Sequence, residues 1–325
     1  MTYRTTVRGC GRYLPEHVMT NDDVARLVDT SDEWIYTRTG IRRRRIAAPG
    51  ETTSSMAVQA ARAALDSAGM AGEEIDLTIL ATCTPDYGFP AGACIVQEAV
   101  GARGGAYDLE AACSGFVYGV ASACALIQAG IARNALVIGS EVYSRVLDWH
   151  DRRTCILFGD GAGAMVISRA EHPGPIPAFR LGSDGGGAAM LVMPGGGLAE
   201  MDEGGRIPRG VRMDGPETFK FGVRVVVDVT EQILHDTGLG VADVDWLVPH
   251  QANQRIITAA AKRLSIAESK VMSNIEHYGN TSAASIPIAV SDWVDRGAVL
   301  PGQRLLMIGF GGGLTWAAGL LTWRD

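Results

Sequence analysis

The chain has 325 residues, 47% of them hydrophobic and 20% charged, which describes an ordinary soluble globular protein with a large core, in one large domain or two halves. Its formal net charge of −7 does not provide the broad basic footprint that nonspecific nucleic-acid binding needs, so an anionic partner must be met by a local basic patch. No apolar run reaches the roughly 20 residues of a membrane helix, and the N-terminus lacks the pattern of a signal peptide, so a cytoplasmic protein is expected.

The densest charge run, Arg42-Arg43-Arg44-Arg45, reads as a solvated face that, with Arg38 nearby, could also meet phosphates. Apolar β-rich runs then alternate with Ala-rich helical stretches. Strands are predicted at 75–82, 135–140, 164–168, 245–249 and 304–309, the pattern of an α/β protein with layered sheets. Cys113 lies between an apolar run and a small-residue helix, in Ala111-Ala112-Cys113-Ser114-Gly115-Phe116. A thiol there meets the positive end of a helix dipole, which favours thiolate, the nucleophilic form. The other cysteines, Cys10, Cys83, Cys94, Cys124 and Cys155, form no C-x-x-C pair and read as reduced core residues.

Gly159-Asp160-Gly161-Ala162-Gly163-Ala164 has the look of a dinucleotide fingerprint, but a strand and not a helix follows it. A nicotinamide site is therefore rejected, and the glycines are assigned to tight turns. Residues 171–177 are a turn-rich join, and 182–215 a long glycine-rich surface excursion. His250 then follows the apolar run Trp246-Leu247-Val248-Pro249, at a strand's carboxyl end, where α/β proteins put ligands. A structural histidine is an equal reading for it alone. Asn280, in Gly279-Asn280-Thr281-Ser282, is a plain helix cap or an amide able to donate to an enolate oxygen without titrating. The glycines of Gly309-Phe310-Gly311-Gly312-Gly313 let a backbone N–H approach a substrate, or make a tight turn. No Walker motif or metal cluster is present, and the six histidines are scattered. The three stations Cys113, His250 and Asn280 together suggest acyl-thioester chemistry.

The two parts of the chain also echo each other. Ile75-Asp76-Leu77 matches Val244-Asp245-Trp246, Leu136-Val137-Ile138-Gly139 matches Leu306-Met307-Ile308-Gly309, and Gly130 matches Gly297, at an offset that stays near about 170 residues. An internal duplication is expected, dividing the chain into residues 1–170, which carry the cysteine, and 171–325, which carry His250 and Asn280. Cys113 and the Asn280 region then fall at matching helix starts facing one shared site.

Taken together, these residues resemble β-ketoacyl-acyl-carrier-protein synthase III, a condensing-enzyme family of the thiolase superfamily. The resemblance spans nearly the whole chain and includes Asp29-Thr30-Ser31-Asp32-Glu33-Trp34-Ile35, Thr37-Arg38-Thr39-Gly40-Ile41-Arg42, Ala111-Ala112-Cys113, Phe158-Gly159-Asp160-Gly161-Ala162-Gly163, Pro249-His250-Gln251-Ala252-Asn253, Gly279-Asn280-Thr281-Ser282-Ala283 and Phe310-Gly311-Gly312-Gly313. It implies a five-layered αβαβα thiolase-like fold of two duplicated halves, a homodimer, and a Cys113, His250 and Asn280 triad. It further implies an oxyanion hole from the N–H groups of Cys113 and Gly312, with Trp34, Arg38 and Arg152 binding coenzyme A. Phe89 matches a phenylalanine that closes the acyl pocket of the partner subunit, which implies a short primer. Tyr143 and Arg153 stand where a smaller aliphatic residue and a glycine are familiar. Gln251, Ala252, Arg255, Lys220, Lys262 and Arg263 match the docking surface for an acidic carrier protein.

The implied reaction is a decarboxylative Claisen condensation of an acyl-CoA primer with malonyl-acyl-carrier protein, initiating type II fatty acid synthesis without metal or redox cofactor. Biosynthetic thiolases use a second cysteine in the C-terminal half, whereas the last cysteine here is Cys155, and elongating ketosynthases carry histidine where this chain has Asn280. The alternatives are a priming ketosynthase, or a non-decarboxylating acyltransferase or ligase, of a polyketide or other secondary pathway, and a structural partner of another synthase without turnover.

Overall fold

The computed structural model describes residues 3–171, 176–194 and 210–324. The apolar runs form two sheets. In the first, the order is Thr5–Tyr13, Gly161–Arg169, Asn134–Glu141, Leu77–Ala81 and Gly105–Leu109, with neighbours antiparallel across the first two junctions and parallel across the last two. The second sheet repeats that plan with Ala178–Ser183, Thr315–Thr322, Arg304–Gly311 and Trp246–Pro249. At the place of a fifth strand, Val271 makes a single parallel bridge to Leu247.

Helices Thr53–Ala68 and Gly92–Val100 cover the outer face of the first sheet, and Gly215–Thr237 and Gln254–Arg263 that of the second. Between the sheets lie Gly115–Gln128 and Ser285–Asp295, both largely apolar and both packed on strands of each sheet. The layers therefore run αβαβα, the fold class expected. Phe116, Val120, Ile127, Ile286 and Val290 of the central helices are fully buried with strand residues of both sheets. Burial of such side chains on both faces of a helix stabilises the fold by about 1.5–3 kcal/mol each.

Local chemistry sets the helix ends. The Thr52 hydroxyl accepts from the Ser55 N–H while the Ser55 hydroxyl accepts from the Thr52 N–H, opening Thr53–Ala68, and Gly69 closes it with φ 65°. Small residues let layers touch. A Cβ on Gly11 would lie 2.3 Å from the Ala64 nitrogen, and one on Gly163 would lie 2.7 Å from the Ile288 nitrogen.

That contact corrects the reading of the glycine-rich segment near Asp160: the strand already begins at Gly161, and its glycines admit the central helix instead of turning the chain. The arginine run is also corrected. Arg43–Ile46 is a short strand paired with His17–Thr20, and the Arg44 side chain is fully buried, donating to Asn21 Oδ1 at 2.8 Å and the Ile156 carbonyl at 2.7 Å. Arg42 pairs with Asp32 and Glu276, and Arg42 and Arg43 are exposed, so only part of the run is a solvated face. Among the cysteines, Cys94 is exposed and Cys83 half-buried, unlike the core placement expected.

Candidate active site

The two central helices begin alike. Each is preceded by a one-turn 3₁₀ segment, Ala112–Ser114 and Ser282–Ala284, whose first residue holds a left-handed backbone, φ 46° at Ala112 and 48° at Ser282. Such a backbone in a non-glycine residue is unfavourable, and it recurs where function is built. Cys113 sits in the first of these turns, directly against the end of strand Arg304–Gly311. A Cβ on Gly309 would lie 2.7 Å from the Ser114 Cα, and one on Gly311 2.7 Å from the Cys113 nitrogen. Gly309 and Gly311 lie in the predicted strand, which runs to Gly311, and their missing side chains make room for the cysteine, while the tight turn offered as the other reading falls at 312–314.

Cys113, His250 and Asn280 all line one cavity of about 1140 Å³, together with Trp34, Arg38 and Gly312. Burial pushes the Cys113 thiol up to about 12, with Glu141 and Glu110 acting in the same direction and the Ser282 hydroxyl and the Cys113 N–H against it. Burial therefore works against the thiolate expected from the helix terminus and favours the protonated thiol.

His250 is fixed from three sides. Its N–H donates to the Ile308 carbonyl at 2.7 Å, its ring meets Phe310 edge to face at 5.3 Å, and Nδ1 lies 2.7 Å from Ser285 Oγ. The same oxygen accepts from the Gln251 N–H at 3.3 Å, so its single proton is free to go to Nδ1. In the tautomer where that hydroxyl donates to Nδ1, the ring proton sits on Nε2. Burial lowers the imidazole to about 3, so the ring is neutral and acts as a donor. Asn280 Oδ1 accepts from the Ser282 N–H at 2.8 Å in a local turn, not as the cap of a helix, whose N-cap positions are Thr281 and Ala284, and this leaves Nδ2 as the uncommitted donor. The Asn280 backbone is clamped to the segment Leu157–Gly159 by bonds of 2.9 and 3.0 Å.

Toward the surface, the Trp34 ring faces the guanidinium of Arg38 at 4.3 Å and that of Arg152 at 5.1 Å. Arg152 also donates to the Asp29 carbonyl, and the neighbouring Arg153, held by Asp151, lines the cavity in its place. Lys220, Ala252 and Arg255 stand at the mouth, with Arg255 over the Phe219 ring at 5.4 Å. Lys262 and Arg263 are exposed in the last turn of Gln254–Arg263, away from the lining. Gln251 does not fit the docking set. It is buried, donating to the Pro249 and Met272 carbonyls and accepting from the Asn274 N–H. Phe89 is 90% exposed on this single chain and does not reach the cavity.

Residues that the sequence did not single out complete the wall. Cys83, Phe158, Leu191, Met193, Val211 and Met213 all line it. The last four belong to the stretch read as a surface excursion. Its described parts instead return to the cavity, with Leu191–Val192 paired to Arg212–Met213, while 195–209 lie outside the described residues. Periodicity gave no signal for them, because two-residue strands are too short to show one. The described residues include no group of three or more His, Cys, Asp or Glu placed to hold a metal ion, and no helix long and apolar enough to cross a membrane.

Comparison with known proteins identifies the family. Residues 107–185 match the model of 3-oxoacyl-[acyl-carrier-protein] synthase III, and 234–323 match its C-terminal model. The β-ketoacyl-[acyl-carrier-protein] synthase III of Desulfitobacterium hafniense is 50% identical over 319 residues, 97% of this chain and 96% of that protein. The solved 3-oxoacyl-[acyl-carrier-protein] synthase III of Aquifex aeolicus is 47% identical with a TM-score of 0.90, covering 98% of this chain and 100% of that one. The priming β-ketosynthase of a polyketide pathway is 38% identical with a TM-score of 0.94, covering 100% and 97%. With a buried cysteine, a neutral imidazole and a carboxamide around one cavity, and identity of this extent along its length, the chain belongs to the β-ketoacyl-[acyl-carrier-protein] synthase III family.

Proposed function

We propose that this enzyme condenses an acyl-CoA primer with malonyl-acyl-carrier protein through an acyl-Cys113 intermediate, the initiating step of type II fatty acid synthesis. The observation that carries this reading is the pairing of a neutral imidazole, His250, with the carboxamide of Asn280 on the same cavity as the cysteine. Transfer of an acyl group to a simple acceptor has little need of such a pair; an enolate does.

In the first half-reaction the Cys113 sulfur attacks the thioester carbonyl. The C–S bond to coenzyme A breaks, and the thiol proton leaves with the coenzyme. The N–H groups of Cys113 and Gly312 face the developing oxyanion. A protonated thiol suits this step, because the proton passes to the leaving sulfur and no resting charge has to be buried. In the second half, malonyl-carrier protein loses carbon dioxide, and the electron pair of the broken C–C bond forms a thioester enolate whose oxygen accepts from His250 and Asn280. The enolate carbon attacks the acyl-Cys113 carbonyl, the Cys113 sulfur departs and takes up a proton, and a β-ketoacyl-carrier protein is released.

Trp34, Arg38 and Arg152 provide the coenzyme A platform, and Arg255 and Lys220 at the mouth, with Lys262 and Arg263 beyond, provide cations for an acidic carrier protein. Exposed Phe89 and Tyr87 are suited to burial in a homodimer, the partner's Phe89 closing the acyl pocket. No metal or redox cofactor takes part. We place the division between the halves at the join 171–177 and the enzyme in the cytoplasm. The second reading, a priming ketosynthase of a polyketide pathway, rests on the 0.94 TM-score to such an enzyme and uses the same steps.

The test is intact-protein mass spectrometry with acyl-CoA donors, followed by a chase with malonyl-carrier protein. An adduct on Cys113 that vanishes as β-ketoacyl-carrier protein forms is the expected result, and none should form on Cys113→Ala. His250→Ala and Asn280→Ala should each slow carbon dioxide release about 10²–10³-fold. An adduct that survives the chase would move the reading to acyl transfer toward another acceptor.

A further inference from the structure

At the buried end of the cavity the Tyr143 ring lies flat on Phe158, with centroids 4.6 Å apart and planes 7° from parallel. Both side chains are buried and both line the cavity that holds Cys113. Tyr143 shares the lining of this cavity with Cys83 and Cys113. The Ser282 hydroxyl faces the same spot without a hydrogen bond of regular geometry.

The Tyr143 wall is also anchored. Asp160 accepts from the Ser144 N–H at 2.9 Å and the Ser144 hydroxyl at 2.5 Å, and Trp149 Nε1 donates to the Ser144 carbonyl at 3.0 Å. The segment Phe158-Gly159-Asp160 therefore does two things at once. On either side of Phe158, the Leu157 carbonyl and the Gly159 N–H hold the backbone of Asn280, while Phe158 and Asp160 hold Tyr143 and the turn that carries it.

We infer that Tyr143 is the specificity-determining residue that limits the length of the acyl primer, through the bulk of a ring that cannot swing aside. This rests on the condensing reading and names its donor class: short, unbranched acyl thioesters. A chain on the Cys113 sulfur that extends into the buried end meets the tyrosine, and the stack on Phe158 together with the anchored Ser144 turn denies the ring another rotamer. Packed interiors resist such displacement.

The experiment loads the full-length enzyme with an equimolar mixture of acetyl-, butyryl-, hexanoyl- and octanoyl-CoA and reads the adducts on Cys113 by mass spectrometry. The unsubstituted enzyme should carry acetyl and butyryl. Tyr143→Leu should raise the ratio of octanoyl to acetyl adduct at least about tenfold, the scale on which pockets discriminate by methylene groups. Tyr143→Phe, which keeps the stack, should leave the distribution unchanged and shows that substitution here is compatible with folding. The inference is overturned if Tyr143→Leu loads acyl groups but keeps the short-chain preference, or if Phe89→Ala lengthens the chain while Tyr143→Leu does not. It is also overturned if Tyr143→Phe shifts the distribution as far as Tyr143→Leu. Absence of every adduct from the unsubstituted enzyme is a distinct result that removes the condensing reading, and the inference with it.

Discussion

Cys113 shows how far a local rule reaches. Position at a helix start favours a thiolate, whereas burial pushes this thiol up to about 12 by desolvating the ion. The residue was legible from its flanking sequence; its protonation state was not, because the side chains that enclose it come from the far half of the chain. Alkylation of Cys113 by iodoacetamide, followed by peptide mapping, should accelerate about tenfold per pH unit from pH 7 to 9 without a plateau. A plateau near pH 7 would show a resting thiolate. Glu141 raises the same thiol when ionised, so Glu141→Gln should speed the alkylation at pH 8.

At the scale of elements, the fit between the strand Arg304–Gly311 and the Cys113 turn depends on atoms that are absent. Gly311→Ala would set a methyl 2.7 Å from the Cys113 nitrogen and 3.0 Å from its Cβ. Overpacking of this kind costs about 1–3 kcal/mol, so a lowered thermal midpoint and slower acyl loading are expected. Gly185→Ala, with nothing within 4 Å of the new methyl, should leave both unchanged. Equal midpoints for the two variants would refute the close approach. The strands were readable from their apolar runs, since a strand covered on both faces is continuously hydrophobic. The glycines near Gly161 were read as turns, and the use of those from Gly309 onward was left open, because glycine serves both a turn and a close contact, and only the neighbour across the gap distinguishes them.

At the scale of the whole molecule, two buried groups of the site oppose each other in the pH dependence of stability. His250, lowered to about 3 by burial from the ordinary 6.5, contributes stability above pH 6.5 that is lost as pH falls toward 3. Glu141, raised to about 7 by burial from the ordinary 4.5, contributes stability that is complete below pH 4.5 and is lost as pH rises through 7. Each has a slope of about 1.4 kcal/mol per pH unit, of opposite sign, so the two offset each other between pH 4.5 and 6.5. Urea unfolding over that window should show a nearly flat contribution from the pair. His250→Gln should make stability fall with rising pH relative to the parent, and Glu141→Gln should make it rise. Parallel curves for both variants and the parent would show that neither group titrates as placed.

The sequence by itself determined the layered α/β class, the repeated halves and the identities of Cys113, His250 and Asn280. These follow from the hydrophobic period of the chain and from residue types set at strand and helix ends. Only the tertiary structure decided what surrounds those residues: burial that favours a neutral thiol, a neutral imidazole whose Nδ1 meets the Ser285 hydroxyl, and a carboxamide whose oxygen accepts from the Ser282 N–H. It likewise decided that Arg44 and Gln251 face inward and that Tyr143 walls the cavity. The physical reason is the same in each case. Desolvation and hydrogen-bond partners depend on which segments meet in space, and the two central helix starts that build this site are brought together only when the sheets pack.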